Sequence, residues 1–252
     1  MSSTIIAVAG KGGVGKTTIS AAIVRILTEQ FPDKRILAID ADPAIGLSTA
    51  LGVAVVKTLD DIRKDIVAKT VSGETREAVD LLNEARFHVF EAMAENHQFA
   101  FLAIGRPETA GCYCGVNAYL KEVIASLADE FDYVVIDGEA GIEQINRRVM
   151  EKVTHLMLIS DQSKKGVSVL RTIRALSSDL IHPEHSGAII NRVENPDWNN
   201  LVDLGDIELL ATIPPDSTQL ENDVRGQSVF ELPADSVLLR GVERALREMD
   251  IF

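Results

Sequence analysis

Residues 10–17, Gly-Lys-Gly-Gly-Val-Gly-Lys-Thr, constrain what this chain can fold into more than any other stretch of it. They fit the pattern G-x-x-x-x-G-K-[ST]. Before them runs "TIIAVA" at 4–9, a β-branched apolar run that reads as a buried strand; after them Ile19, Ala22, Ile23, Ile26 and Leu27 recur at helical spacing. A strand, a glycine-rich loop and a helix in that order cradle phosphate. Glycines let successive N–H groups turn towards phosphate oxygens, and the helix N-terminus adds partial positive charge. Lys16 is placed to reach the β- and γ-phosphates and the Thr17 hydroxyl to ligate Mg²⁺, while Gly12, Gly13, Val14, Gly15 and Thr18 complete the nucleotide-binding loop. A glycine-rich turn with a solvated lysine would require neither the strand nor the helix.

Further apolar runs follow at 35–40 ("RILAID"), 99–105 ("FAFLAIG"), 132–137 ("DYVVID"), 155–161 ("HLMLISD"), 187–193 ("GAIINRV") and 208–213 ("ELLATI"), with helical patterns between them. Most are apolar throughout, as strands covered on both faces are. The expected fold class is therefore α/β, a P-loop NTPase with a mostly parallel sheet and helices on both faces. No repeat, low-complexity tract or linker divides the chain, so 1–252 is expected to be one domain, with the more polar, mostly helical 53–98 as an elaboration of it. Near the C-terminus Leu238, Val242, Ala245, Leu246 and Met249 share a face, and the opposite face mixes Arg240, Glu243, Arg244, Arg247 and Glu248. Mixed signs suit a core-docked helix better than one lying on a membrane.

The 25 basic and 38 acidic side chains leave 25 − 38 = −13, a charge that repels polyphosphate backbones, so no nucleic-acid partner is expected. No segment approaches the ~20 apolar residues of a membrane span. The start, "MSSTIIAVAG", has no basic stretch ahead of a long apolar run, so a cytoplasmic chain without membrane association is expected. In a reducing compartment the two cysteines, Cys112 and Cys114 of "AGCYCGVN", are expected to be ligands, catalytic thiols or inert core residues rather than a disulfide. They precede a helical pattern starting at Asn117, whose dipole favours thiolate, and residues i and i+2 of extended backbone point the same way. Two thiolates half-fill a tetrahedral shell. A twofold axis nearby would bring the same two from a second copy, enough for a zinc-like ion. Two ordinary buried cysteines are the competing reading. His182 and His185, in "HPEH", read as solvated loop residues.

Two acidic stretches stand at strand ends. "AIDADP" at 38–43 puts Asp40 and Asp42 at a carboxyl end, where open α/β sheets bind ligands, and "VVIDGEAGIE" at 134–143 ends its strand in Asp137, the position of a magnesium-shell carboxylate in phosphate-loop enzymes. Aspartates also end strands simply to cap the following turn. Lys11 is not required by the plain pattern, and with it the loop resembles the deviant form, "KGGVGKTT", of the family that includes MinD, ParA, the nitrogenase iron protein and the arsenite and tail-anchored-protein ATPases. The resemblance implies an ATP hydrolase acting as a homodimer, in which Lys11 reaches the partner's nucleotide as an arginine finger does elsewhere. It also implies that Asp42 positions the attacking water, that Asp40 lies near the magnesium shell, and that Gly141 follows the γ-phosphate. Asn191 of "INRV" would read the adenine, with Pro214 and Pro215 of "IPPD" beside it; as a plain turn residue Asn191 would do neither.

Taken together, the loop, "DADP", "GCYC" and "DGEAGIE" are similar to the CooC-type and AcsF-type branch of that family, over roughly residues 4–216. This closer resemblance implies maturation of a client nickel enzyme, carbon monoxide dehydrogenase or acetyl-CoA synthase. Cys112 and Cys114 would then hold Ni²⁺ or Zn²⁺ at the dimer interface, and ATP with Mg²⁺ would accompany nickel insertion. A positioning or segregation switch of the same family, with structural cysteines, is the alternative.

Overall fold

The computed structural model describes residues 3–71, 85–95, 98–105, 114–138 and 152–252. Eight strands, β1 (Thr4–Gly10), β2 (Ile36–Asp40), β3 (Ala94–Glu95), β4 (Ala100–Ala103), β5 (Tyr133–Asp137), β6 (His155–Ser160), β7 (His185–Asn191) and β8 (Glu208–Ile213), form one sheet. Their order is β3-β4-β2-β5-β1-β6-β7-β8, and all neighbours are parallel except β3 and β4. The helices are α1 (Lys16–Gln30), α2 (Gly46–Leu51), α3 (Leu59–Val71), α4 (Ala85–Ala92), α5 (Cys114–Ala128), α6 (Lys164–Leu180), α7 (Trp198–Leu201), α8 (Ser217–Arg225) and α9 (Val237–Glu248). The α/β, mostly parallel architecture is the one the apolar runs predict.

Alternate residues of each strand face opposite sides, and both sides are buried except at the edge strands β3 and β8. Ile5, Leu37, Ile39, Val134, Ile136 and Leu158 pack beneath α3, α4, α5 and α6, while Ile6, Val8, Ala38, Val135, Met157 and Ile189 pack beneath α1 and α9. Helix α1 exceeds its predicted single apolar face: every residue from Ile19 to Thr28 is buried. Its outer side is covered by α2, α9 and a short 3₁₀ turn, Val229–Glu231. Arg25 fastens that cover, donating from Nη1 to the carbonyls of Val229 (2.7 Å) and Leu232 (2.8 Å) and from Nε to Glu29 (2.7 Å). Leu238, Val242, Ala245, Leu246 and Met249 are buried, so α9 docks on the core as its mixed polar face indicates.

Element ends differ from the sequence reading for local reasons. β6 stops at Ser160 rather than 161 because the Asp161 carboxylate turns back to accept the Ser163 N–H (3.2 Å). β7 runs over 185–191 rather than 187–193, since Arg192 adopts a left-handed φ of 57° that no strand continues. His185 accordingly opens β7 and stacks on His155 at 4.9 Å, although, like His182, it stays exposed. Helix α5 begins at Cys114, three residues before the predicted Asn117, so Cys114 is a helical residue and not part of an extended pair. The two-residue strand β3 has too little sequence to signal itself. Among the described residues no helix is long and apolar enough to cross a membrane.

Candidate functional site

The carboxyl ends of β1, β2, β5, β6 and β7 meet at one edge of the sheet, and the predicted site residues that can be placed lie there. The loop from Gly10 leads into α1 through Gly13 (φ 76°) and Gly15 (φ 93°), conformations that only glycine adopts readily. No atom lies within 4 Å of where side chains on Gly12 and Gly13 would start, so the concave face of the loop stays open for a ligand. Lys16 is nearly buried, and its ammonium donates to the Lys11 carbonyl at 3.2 Å. Thr17, on the first turn of α1, hydrogen-bonds Asp137 and faces Gly46 at the start of α2. Thr18 lines a shallow crevice between α1, α2 and α8.

Asp40 and Asp137 sit side by side in the β2–β5 register, both essentially buried. Asp137 Oδ1 accepts the Ser20 hydroxyl at 2.9 Å. The two oxygens of Asp40 accept backbone N–H groups of Asp42 (3.0 Å) and Leu47 (2.9 Å), which fold residues 41–47 into a turn over Thr17. Burial, reinforced by the charge of Asp137, raises the Asp40 carboxyl to about 7; burial likewise raises Asp137 to about 6, although Thr17, Ser20 and Lys16 pull it down. Two buried carboxylates beside a threonine hydroxyl form a hard-oxygen donor set whose negative charge Lys16 offsets only in part, which fits Mg²⁺. Asp42 is half-buried, and its Oδ1 accepts the Ala44 N–H at 2.8 Å.

Asn191 ends β7 against the loop. Its Nδ2 donates to the Val14 carbonyl at 2.8 Å and its Oδ1 accepts the Arg192 N–H at 3.0 Å, so the amide clamps the loop. A methyl on Gly15 would come within 2.8 Å of the same Nδ2. The Val193 N–H donates to the Ile213 carbonyl at 2.9 Å, bringing exposed Pro214 and Pro215 beside Asn191. Two residues that the motifs did not single out join the site. Arg192 reaches the Gly13 carbonyl at 3.3 Å, and Asp161 forms an ion pair with Lys11. The available signal for Asp161 was its place at the carboxyl end of a strand neighbouring β1, together with the cap-forming Ser163 after it. Burial acts to raise the Asp161 carboxyl, but the Lys11 ammonium and Ser163 outweigh it and hold it below the ordinary carboxylate range.

Cys112 and Gly141 lie outside the described residues, and of Cys114 only the helical backbone is described. Among the described residues no group of three His, Cys, Asp or Glu is arranged to hold a metal ion.

The model of the CobQ/CobB/MinD/ParA nucleotide binding domain matches residues 5–229. The chain is 35% identical over 245 residues to the ATP-binding protein MJ0685 of Methanocaldococcus jannaschii, covering 95% of each chain. It is 30% identical over 241 residues to the carbon monoxide dehydrogenase accessory protein CooC of Rhodospirillum rubrum, covering 90% of this chain and 89% of that one. The septum site-determining protein MinD of Pyrococcus horikoshii, solved in complex with Mg-ADP, has the same fold, with a TM-score of 0.69 at 22% identity over 98% of this chain and 96% of that one. A family match across most of the chain, on a sheet whose carboxyl edge carries an open glycine loop, a buried lysine and two buried aspartates, makes this protein a P-loop ATPase of the CobQ/CobB/MinD/ParA family.

Proposed function

We propose that this ATPase works as an ATP-dependent homodimer that helps insert nickel into a client enzyme, carbon monoxide dehydrogenase or acetyl-CoA synthase. The observation that carries the reading is Cys114 as the first residue of α5. This helix returns from β4 to the start of the parallel strand β5, so its first turn lies at the sheet edge that holds the nucleotide loop. A cysteine at a helix N-terminus is favoured as thiolate. With Cys112 it would offer two sulfurs, and a second copy two more, to Ni²⁺ or Zn²⁺. Similarity to the carbon monoxide dehydrogenase accessory protein CooC along nine-tenths of the chain supports this client class.

In this reading Lys16 and the loop N–H groups bind the ATP phosphates, and Asp42 orients the attacking water. Thr17 and Asp137, with Asp40 behind them, hold Mg²⁺. The metal supplies charge neutralisation at the β- and γ-phosphate oxygens. Asn191 and the Pro214–Pro215 loop border the base, and Lys11 acts on the partner's nucleotide. The proposed setting is the cytosol.

Purified anaerobically with one equivalent of Ni²⁺, wild-type protein is expected to carry one metal per dimer by light scattering and metal analysis. The Cys112→Ala, Cys114→Ala double variant should lose the metal and keep ATP binding. Equal metal content in both proteins would sink the interface site. The fold shared with septum-site MinD favours a second reading, a positioning switch. Metal-free dimers that bind lipid vesicles only with ATP would establish that one instead.

A further inference from the structure

We infer that Asp161 is a positioning residue for Lys11: it holds the lysine's ammonium inside its own subunit, so that a second subunit's nucleotide recruits Lys11 only by displacing it from this carboxylate. The inference rests on the reading of Lys11 as acting across the dimer. In the single chain the Lys11 ammonium is ion-paired with Asp161 Oδ2. The other oxygen, Oδ1, accepts from both the backbone N–H (3.2 Å) and the hydroxyl of Ser163. Ser163 in turn is the N-cap of α6, its Oγ accepting the Gly166 N–H at 3.0 Å. The carboxylate is thereby fixed to a 17-residue helix. Space for it depends on Gly166, where a methyl group would collide with Ser160 and Asp161.

The lysine backbone is held as firmly. Its N–H donates to the Ile159 carbonyl at 3.2 Å, and its carbonyl accepts the Lys16 ammonium at 3.2 Å. Only the four-carbon stem of Lys11 is left to swing. The pair is part-exposed, with side-chain accessibilities of 28% and 33%, and so can be exchanged at the sheet edge. An accessible ion pair of this kind is worth a factor of about 2 to 5. Two such pairs open when two subunits join, so the factor enters the dimerisation constant squared.

The test is dimerisation measured against protein concentration by sedimentation equilibrium, with Mg²⁺ and a non-hydrolysable ATP analogue. Asp161→Asn should move the midpoint to lower concentration by about 4- to 25-fold, the square of that factor. Asp161→Glu, which restores the charge, should lie near wild type, and Ser163→Ala, which loosens the carboxylate, between the two. A midpoint for Asp161→Asn that is unchanged or higher overturns the inference, because a merely structural loss would weaken the dimer. Should Asp161→Asn not fold, an unmoved midpoint in Ser163→Ala overturns it equally. The underlying reading has its own control. Mixing Lys11→Ala chains with Asp42→Ala chains should restore hydrolysis, since both bind ATP, one supplies an intact nucleotide site and the other an intact Lys11. No restoration would defeat trans action by Lys11, whatever the Asp161 variants do.

Discussion

Asp40 and Asp137 lie together on adjacent strands, and Lys16 offsets only part of their charge. Their carboxyls, raised by burial from an ordinary 3.8 to about 7 and about 6, bind protons more tightly folded than unfolded. Stability of the metal-free protein therefore falls as pH rises from about 4 to about 7, by an amount on the order of a few kcal/mol. The lowered carboxyls of Asp61, Asp132, Asp161, Asp203 and Asp216 lose their contribution only below the ordinary carboxylate range, whereas His155, held by burial below its ordinary 6.5, gains stability as pH rises and offsets part of the fall from the two raised carboxyls. Melting temperature measured in chelator should drop between pH 5 and pH 8, and Mg²⁺ with ADP should recover most of the loss at pH 8. Asp137→Asn should flatten the profile and remove the Mg²⁺ response; a profile that stays flat in wild type would contradict the assignment. Lys16 and Thr17 were legible from the sequence because their spacing is local to one turn of loop and helix. The Lys11–Asp161 pair was not, because its members are 150 residues apart and meet only once β6 lies beside β1.

At the level of elements, each apolar run reads correctly as a strand, because burial on both faces leaves an unbroken apolar record. Strand ends were less legible, since a turn residue fixes them: Arg192 in its left-handed conformation closes β7, and the Asp161 carboxylate closes β6. The amphipathic pattern of α1 understated its burial because two of its outer neighbours, α9 and the 3₁₀ turn, come from the far end of the chain. Helix α9 is one of them, and its packing can be tested at Gly241. A methyl group there would start 2.5 Å from Ile213 Cγ1 on β8 and force the helix away from the sheet. Gly241→Ala should therefore destabilise by about 1–3 kcal/mol, even though alanine favours helix more than glycine does. Chemical denaturation would measure it, and a stabilised variant would mean that α9 sits more loosely on β8 than its buried Leu246 and Val242 imply.

The whole molecule carries a net charge of −13, and any dimer must bring two such bodies together. Raising ionic strength from about 10 mM to about 150 mM shortens the screening length from roughly 30 Å to roughly 8 Å. ATP-dependent dimerisation should therefore strengthen over this range, as read by light scattering. Weakening would mean that short-range attractions such as that of Lys11 outweigh the overall repulsion. The enclosure of α1 has a mechanical meaning on this scale. The helix that begins at the nucleotide loop is hemmed in by the sheet, α2, α9 and the 3₁₀ turn, with Arg25 as the bolt. It can neither slide nor tilt without breaking the core, so it serves as the anvil of the machine. On the cycle proposed above, movement would be left to the carboxyl edge, to the 41–47 turn tied to Asp40 and to the Lys11 stem, against a base that stays still.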